Sequence, residues 1–115
     1  MTVSETEGKA AGASQAGGLW RAGLVRVDIT PPLGVWLCGF GSRKRPADGI
    51  HDPLYATAAV FERSGRKVAI VSCDVLSIDA VDVKRVRQEI AAATGIEPGH
   101  ILVHATHTHA GPLTS

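Results

Sequence analysis

The stretch Lys67-Val-Ala-Ile-Val-Ser-Cys-Asp74, with the segment Ile78 to Thr94 and then Ile101-Leu-Val-His-Ala105, decides the fold. Its first part is a nearly continuous apolar run, the pattern of a strand buried on both faces. In the middle part Val83, Val86, Ile90 and Ala93 recur at spacings of three and four, one apolar stripe along a helix. Asp79 fits its N-cap, and Asp82 adds a negative charge in the first turn, where the helix dipole favours it. Gly95 fits the stop and Pro98 blocks continuation. Strand, helix and strand in that order form a βαβ unit, whose crossover makes the two strands parallel. Asp74 and the residues that follow Ala105 then share the carboxyl edge of the sheet, where α/β folds hold their sites. Asp74 also has an ordinary and favoured use, hydrogen bonding to nearby backbone.

Beyond Ala105 comes Thr106-His-Thr-His-Ala-Gly-Pro112. In extended backbone alternate side chains leave on one face, so His107 and His109 are expected to converge on one point. A neutral imidazole is a preferred ligand for zinc. A catalytic zinc takes about three protein ligands and an open position. Either His51 and His104 complete the set, or the other ligands lie beyond Ser115. The plain alternative is that these histidines are incidental surface residues.

Upstream, Leu54 to Glu62 reads as a strand, and Ser64-Gly65 as the hairpin turn that joins it to Lys67–Cys73. Leu19 to Thr30 reads as an earlier strand, alternating from Gly23 on, and Thr30-Pro31-Pro32 ends it. Pro32 to Gly41 is a loop or short strand whose glycines permit tight turns or close approach to a ligand. Gly39-x-Gly41 alone lacks the further glycine of a dinucleotide fingerprint. Ser42 to Asp48 is a basic run, read first as a solvated loop and second as a grip for an anion. His51 precedes a strand and so is placed within reach of a site, while Asp52 before Pro53 suits a turn.

With 115 residues the chain is one domain at most, and 44% hydrophobic content is ordinary for a sequence that buries a core. Twelve basic against 11 acidic residues, net +1, give no electrostatic case for nucleic acid or an anionic membrane. Cys38 and Cys73 form no Cys-x-x-Cys and imply no disulfide framework. No apolar run approaches the ~20 residues of a spanning helix. Residues 1–18 read as a disordered tail without the apolar core of a secretory signal, and cytoplasmic residence is the expectation.

Five blocks together carry a resemblance. Val27-Asp-Ile-Thr-Pro-Pro-Leu-Gly34, Gly39-Phe-Gly-Ser42, Gly49-Ile-His-Asp-Pro-Leu-Tyr-Ala56, Val71-Ser-Cys-Asp74 and Thr106-His-Thr-His-Ala-Gly-Pro112 occur in this order in the neutral/alkaline non-lysosomal ceramidase family. Residues 19–115 resemble the N-terminal portion of that family's catalytic domain, incomplete at its C-terminus, so the chain reads as a fragment or a truncated product. Thr-His-Thr-His-x-Gly-Pro is the specific block, with Ala110 where the family usually has Ser. The resemblance implies an α/β fold: a mixed β-sheet with a βαβ unit, part of a larger stacked-sheet domain flanked by helices. It implies zinc as cofactor and a ceramide-like lipid amide as substrate, hydrolysed to sphingosine and fatty acid. His107 matches the zinc-ligand His and His109 a His that supports the metal or touches substrate. The family's other ligands, a His, a Glu and a Tyr, lie downstream of this motif. By itself a segment with one or two ligands is expected to bind zinc weakly and to be inactive. Two other classes remain open: a metallo-β-lactamase-type hydrolase, whose His-x-His continues into Asp-His where this chain has Ala110-Gly111, and a non-catalytic α/β module.

Overall fold

The computed structural model describes Ser4–Glu5 and residues 18–114. The reading of residues 1–18 as a disordered tail falls almost wholly outside them. Five strands form one sheet in sequence order: β1 (Ser4–Glu5), β2 (Arg21–Asp28), β3 (Tyr55–Arg63), β4 (Arg66–Cys73) and β5 (Ile101–Ala105). The first four are antiparallel to their neighbours, and β5 joins β4 in parallel after helix α1 (Ala80–Thr94) and a short 3-10 turn at Pro98–His100. The sheet is mixed and contains the expected βαβ unit.

Local chemistry explains the joints. Ser64 and Gly65, φ 51° and 75°, form a two-residue turn between Arg63 and Arg66, the left-handed pair that matches strand twist. The Asp79 carboxylate caps α1 by accepting from the Asp82 amide at 2.8 Å. Gly95 closes it at φ 73°, donating to the Ala91 carbonyl. The chain leaves β2 into a long loop, 29–54, whose neck is tied by Ile29 N–H to the Leu54 carbonyl and by Leu54 N–H to Thr30 Oγ1. Asp28 accepts from the Thr30 amide there, and its hydrogen bonds with Thr30 hold its carboxyl below the usual range.

The core lies between α1 and one face of the sheet. Ala69, Ile101 and Val103 are buried with Ile96, and Val83, Val86, Ile90 and Ala91 of the helix pack on them. The inward stripe thus ends on Ala91 and leaves the expected Ala93 exposed. The larger correction concerns β4. The run Lys67–Cys73 is covered on one face only, because α1 packs against Ala69 and Val71 alone. Val68 and Ile70 point the other way and are 43% and 39% exposed.

Candidate metal centre

The strand β5 ends at Ala105, but its hydrogen bonding to the neighbouring segment continues. Thr106 N–H donates to the Cys73 carbonyl at 2.9 Å and His107 N–H to the Val75 carbonyl at 3.0 Å. At His107 the backbone turns left-handed, φ 66°, a conformation that costs a residue with a Cβ and clusters at functional sites. The expected extended Thr-His-Thr-His is therefore corrected: strand parity stops before His107. The two rings nevertheless stand together, centroids 5.2 Å apart and planes at 71°.

His107 is exposed, and its Nδ1 lies 2.9 Å from the Leu76 carbonyl. A carbonyl only accepts, so Nδ1 carries a proton, and in the neutral ring Nε2 is the nitrogen with the lone pair. Metal-bound histidines are typically held this way, with the second ring nitrogen donating to a carbonyl or carboxylate. The donor chemistry of His107 thus fits zinc. His109 is half-buried between a loop and the motif. Its carbonyl accepts from Arg43 at 3.0 Å, and its ring meets the Phe40 ring edge-on at 5.0 Å. Downstream, Gly111 is buried where a Cβ would crowd the Asp74 carbonyl and Val75 Cα at 3.2 and 3.3 Å. That close approach explains the glycine. Cys38 N–H donates to the Gly111 carbonyl, and Leu37 bridges to Pro112.

Of the other sequence candidates, Asp74 stays at the carboxyl edge beside the motif, its carbonyl next to Gly111, while His51 and His104 lie elsewhere. Asp74 accepts from the Tyr55 amide at 2.9 Å, pinning the start of β3 to the end of β4 in the backbone role open to it. His104 projects from β5 opposite to Val103, onto the sheet face that α1 does not cover. His51 is 97% exposed and paired with Asp52 at 2.6 Å. Among the described residues no three His, Cys, Asp or Glu side chains come together as a metal site. His51 and His104 therefore do not complete a set with His107. Beneath the site Cys73 is half-buried, and burial, then the Asp74 carboxylate, push its thiol pKa up.

A hollow of about 750 Å³ opens under the 30–52 loop. It reaches the motif through Thr108 and Ala110, and neither His107 nor His109 lines it. The exposed His107 ring thus lies outside this hollow. Sequence reasoning did not identify Phe40, Arg43 or the Leu76 carbonyl as parts of the site. The loop glycines read as permitting tight turns or approach to a ligand; what Gly39 meets is the His109 side chain, while nothing lies within 4 Å of a Cβ at Gly34 or Gly41.

The sequence model described as "Neutral/alkaline non-lysosomal ceramidase, N-terminal" matches residues 20–114. The chain belongs to the neutral/alkaline non-lysosomal ceramidase family. It is 31% identical over 101 residues to a neutral ceramidase of Drosophila pseudoobscura pseudoobscura, covering 84% of this chain and 14% of that protein. To the neutral ceramidase of Drosophila melanogaster it is 31% identical over 97 residues, 81% of this chain and 14% of that one. The crystal structure of neutral ceramidase from Pseudomonas aeruginosa superposes with a TM-score of 0.68 at 31% identity, over 82% of this chain and 16% of that one. The ceramidase-like α/β sheet is thus shared, and the chain spans a small part of its relatives' length.

Proposed function

We propose that this chain supplies a zinc ligand, His107, and a proton-handling group, His109, to an amidohydrolase of the ceramidase type. The reaction is cleavage of the N-acyl amide bond of ceramide or a related lipid amide, releasing a sphingosine-type amine and a fatty acid. One observation carries the reading: His107 Nδ1 is committed to the Leu76 carbonyl, which leaves Nε2 free on an exposed ring. Family membership supplies the reaction class.

Zinc bound at this position supplies Lewis-acid polarisation of an amide carbonyl and ionisation of water near neutral pH. The other contributions come from the chain. The Leu76 carbonyl fixes the tautomer and tilt of His107. His109, beside it, donates to the developing oxyanion or the leaving amine. Since zinc takes three or four protein ligands, His107 acts with ligands from outside the described residues. His107 without those ligands binds zinc weakly and supports no turnover.

Titration of ¹⁵N-labelled protein with zinc chloride, followed at the imidazole nitrogens, tests the ligand. His107 Nε2 is expected to shift while Nδ1 stays protonated. Zinc that leaves Nε2 unmoved, or that binds His107→Ala equally well, overturns the assignment. The substrate is tested by exchanging residues 20–114 into Pseudomonas aeruginosa neutral ceramidase for the segment they match. The chimera should release amine from a short-chain ceramide, and lose that release with chelator or His107→Ala. A chimera with an intact thermal melt that releases nothing rejects the substrate.

A further inference from the structure

His107 and His109 are held in different ways. One bond, to the Leu76 carbonyl, fixes the His107 ring. His109 is gripped from three directions by a loop that lies far upstream in sequence. Gly39, at φ 100°, lays its backbone against the imidazole: a Cβ there would sit 2.5 Å from His109 Cγ, which no side chain tolerates. Phe40 sets its ring edge-on to His109, at 5.0 Å and 71°. The Arg43 guanidinium donates to the His109 carbonyl at 3.0 Å and lies 5.7 Å from the Phe40 ring centre. The loop is itself tied to the motif by the Leu37–Pro112 bridge and the Cys38–Gly111 hydrogen bond.

Gly34 sharpens the comparison. It shares the loop and a left-handed φ of 89°, yet nothing lies within 4 Å of where its Cβ would be. Backbone curvature alone therefore explains Gly34. Gly39 meets a second demand, room for an imidazole. Phe40 is 58% exposed, so its contact with His109 is not a by-product of burial in a core.

The geometry points to this loop as the device that fixes the His109 ring beside His107, with Gly39, Phe40 and Arg43 as positioning residues that act through His109. The inference rests on the reading of His109 as the proton-handling group. Its chemistry is orientation. A donor must present its N–H along the line to the reacting atom, and misplacement by 1 Å costs on the order of 10²-fold in rate. Phe40 removes the freedom of the imidazole to swing away, and Gly39 leaves the space in which it stands.

Two pairs of variants test this by NMR on the 115-residue protein, without metal or substrate. Phe40→Leu keeps apolar bulk and removes the ring. The His109 ring protons should lose their aromatic ring-current shift and the side chain should average between rotamers, while His107 and the melting temperature stay close to wild type. Phe40→Tyr should restore the shift. Gly39→Ala should displace the His109 resonances. Gly34→Ala imposes the same backbone strain in open space and should leave them in place.

In the ceramidase chimera, Phe40→Leu should lower kcat by about 10- to 100-fold with KM unchanged, and Phe40→Tyr should recover it. His109 resonances and rotamers unaltered by Phe40→Leu, or disturbed equally by both glycine variants, overturn the clamp. The ring signatures need no zinc, so the two readings fail separately. A failed zinc titration with the expected signatures removes the hydrolase and leaves the clamp. A successful titration with unmoved signatures does the reverse.

Discussion

At position 107 glycine should give a more stable protein than alanine, the reverse of the usual order. His107 has φ 66°. Left-handed backbone costs a residue with a Cβ about 1–2 kcal/mol, a term that alanine keeps and glycine loses. Against this, glycine has a freer unfolded chain, worth about 0.5–1 kcal/mol. Both variants lose the same bond to the Leu76 carbonyl, so that loss cancels between them. The balance favours His107→Gly over His107→Ala by roughly 0.5–1 kcal/mol, on the order of 2–8 °C in Tm for a domain of this size. His104 is the internal control, since it is also exposed but lies in regular strand. There glycine should be the less stable by about 0.5–1 kcal/mol. Urea melts of the four variants, all with chelator present, give both differences. An alanine at 107 as stable as glycine, with the normal order at 104, would refute the left-handed backbone. It would also refute the idea that the candidate ligand is held in place at some expense in folding free energy.

Two further outcomes follow from packing and burial. Ile101 is the largest fully buried side chain among the described residues, 1% exposed between sheet and helix, so Ile101→Ala should cost about 2–5 kcal/mol in a denaturant melt; a loss under 1 kcal/mol, small for any buried isoleucine, would mean that α1 is not seated there. Burial and Asp74 raise the folded pKa of the Cys73 thiol, so its contribution is intact below the unfolded value of about 8.5 and is lost as pH rises through the folded one. Between about pH 8.5 and the folded pKa, stability should thus decline less steeply in Cys73→Ala than in wild type, and parallel pH profiles would exclude the effect.

Much of this architecture was legible because the cues were local. Asp79, Gly95 and Ser64-Gly65 each fix a boundary through their own backbone chemistry, and the structure places the boundaries there. The βαβ unit followed from element order. The site was read less well, because period-two reasoning holds only while the strand lasts. It describes His104, which stands opposite Val103, and loses its force after Ala105. Thr-His-Thr-His looks like continued alternation, and nothing in its spacing marks the turn at His107. Histidine is, however, among the residues that enter left-handed backbone more readily than most. The two rings come together for a reason other than the one the spacing suggested. The Phe40 and Arg43 contacts were not legible at all, since a loop's docking partner is set by tertiary geometry and leaves no periodicity.

The misreading of β4 is informative in its own way. A strand covered on one face alternates polar with apolar residues, as antiparallel sheets with one wet side do. β4 does not alternate: Val68 and Ile70 are as apolar as Ala69 and Val71. Register extends the same feature across the sheet, since Leu24, Ala59, Ile70 and Leu102 pair in one row on the face opposite to α1. Leu24 and Leu102 are 52% and 51% exposed in that row. The next row on that face, Arg26, Thr57, Ser72 and His104, is polar, so the apolar residues there form a local patch and not a wholly apolar face. His104 stands on the second face, beside Leu102 and away from His107, so substitutions there report on that face and not on the candidate metal centre.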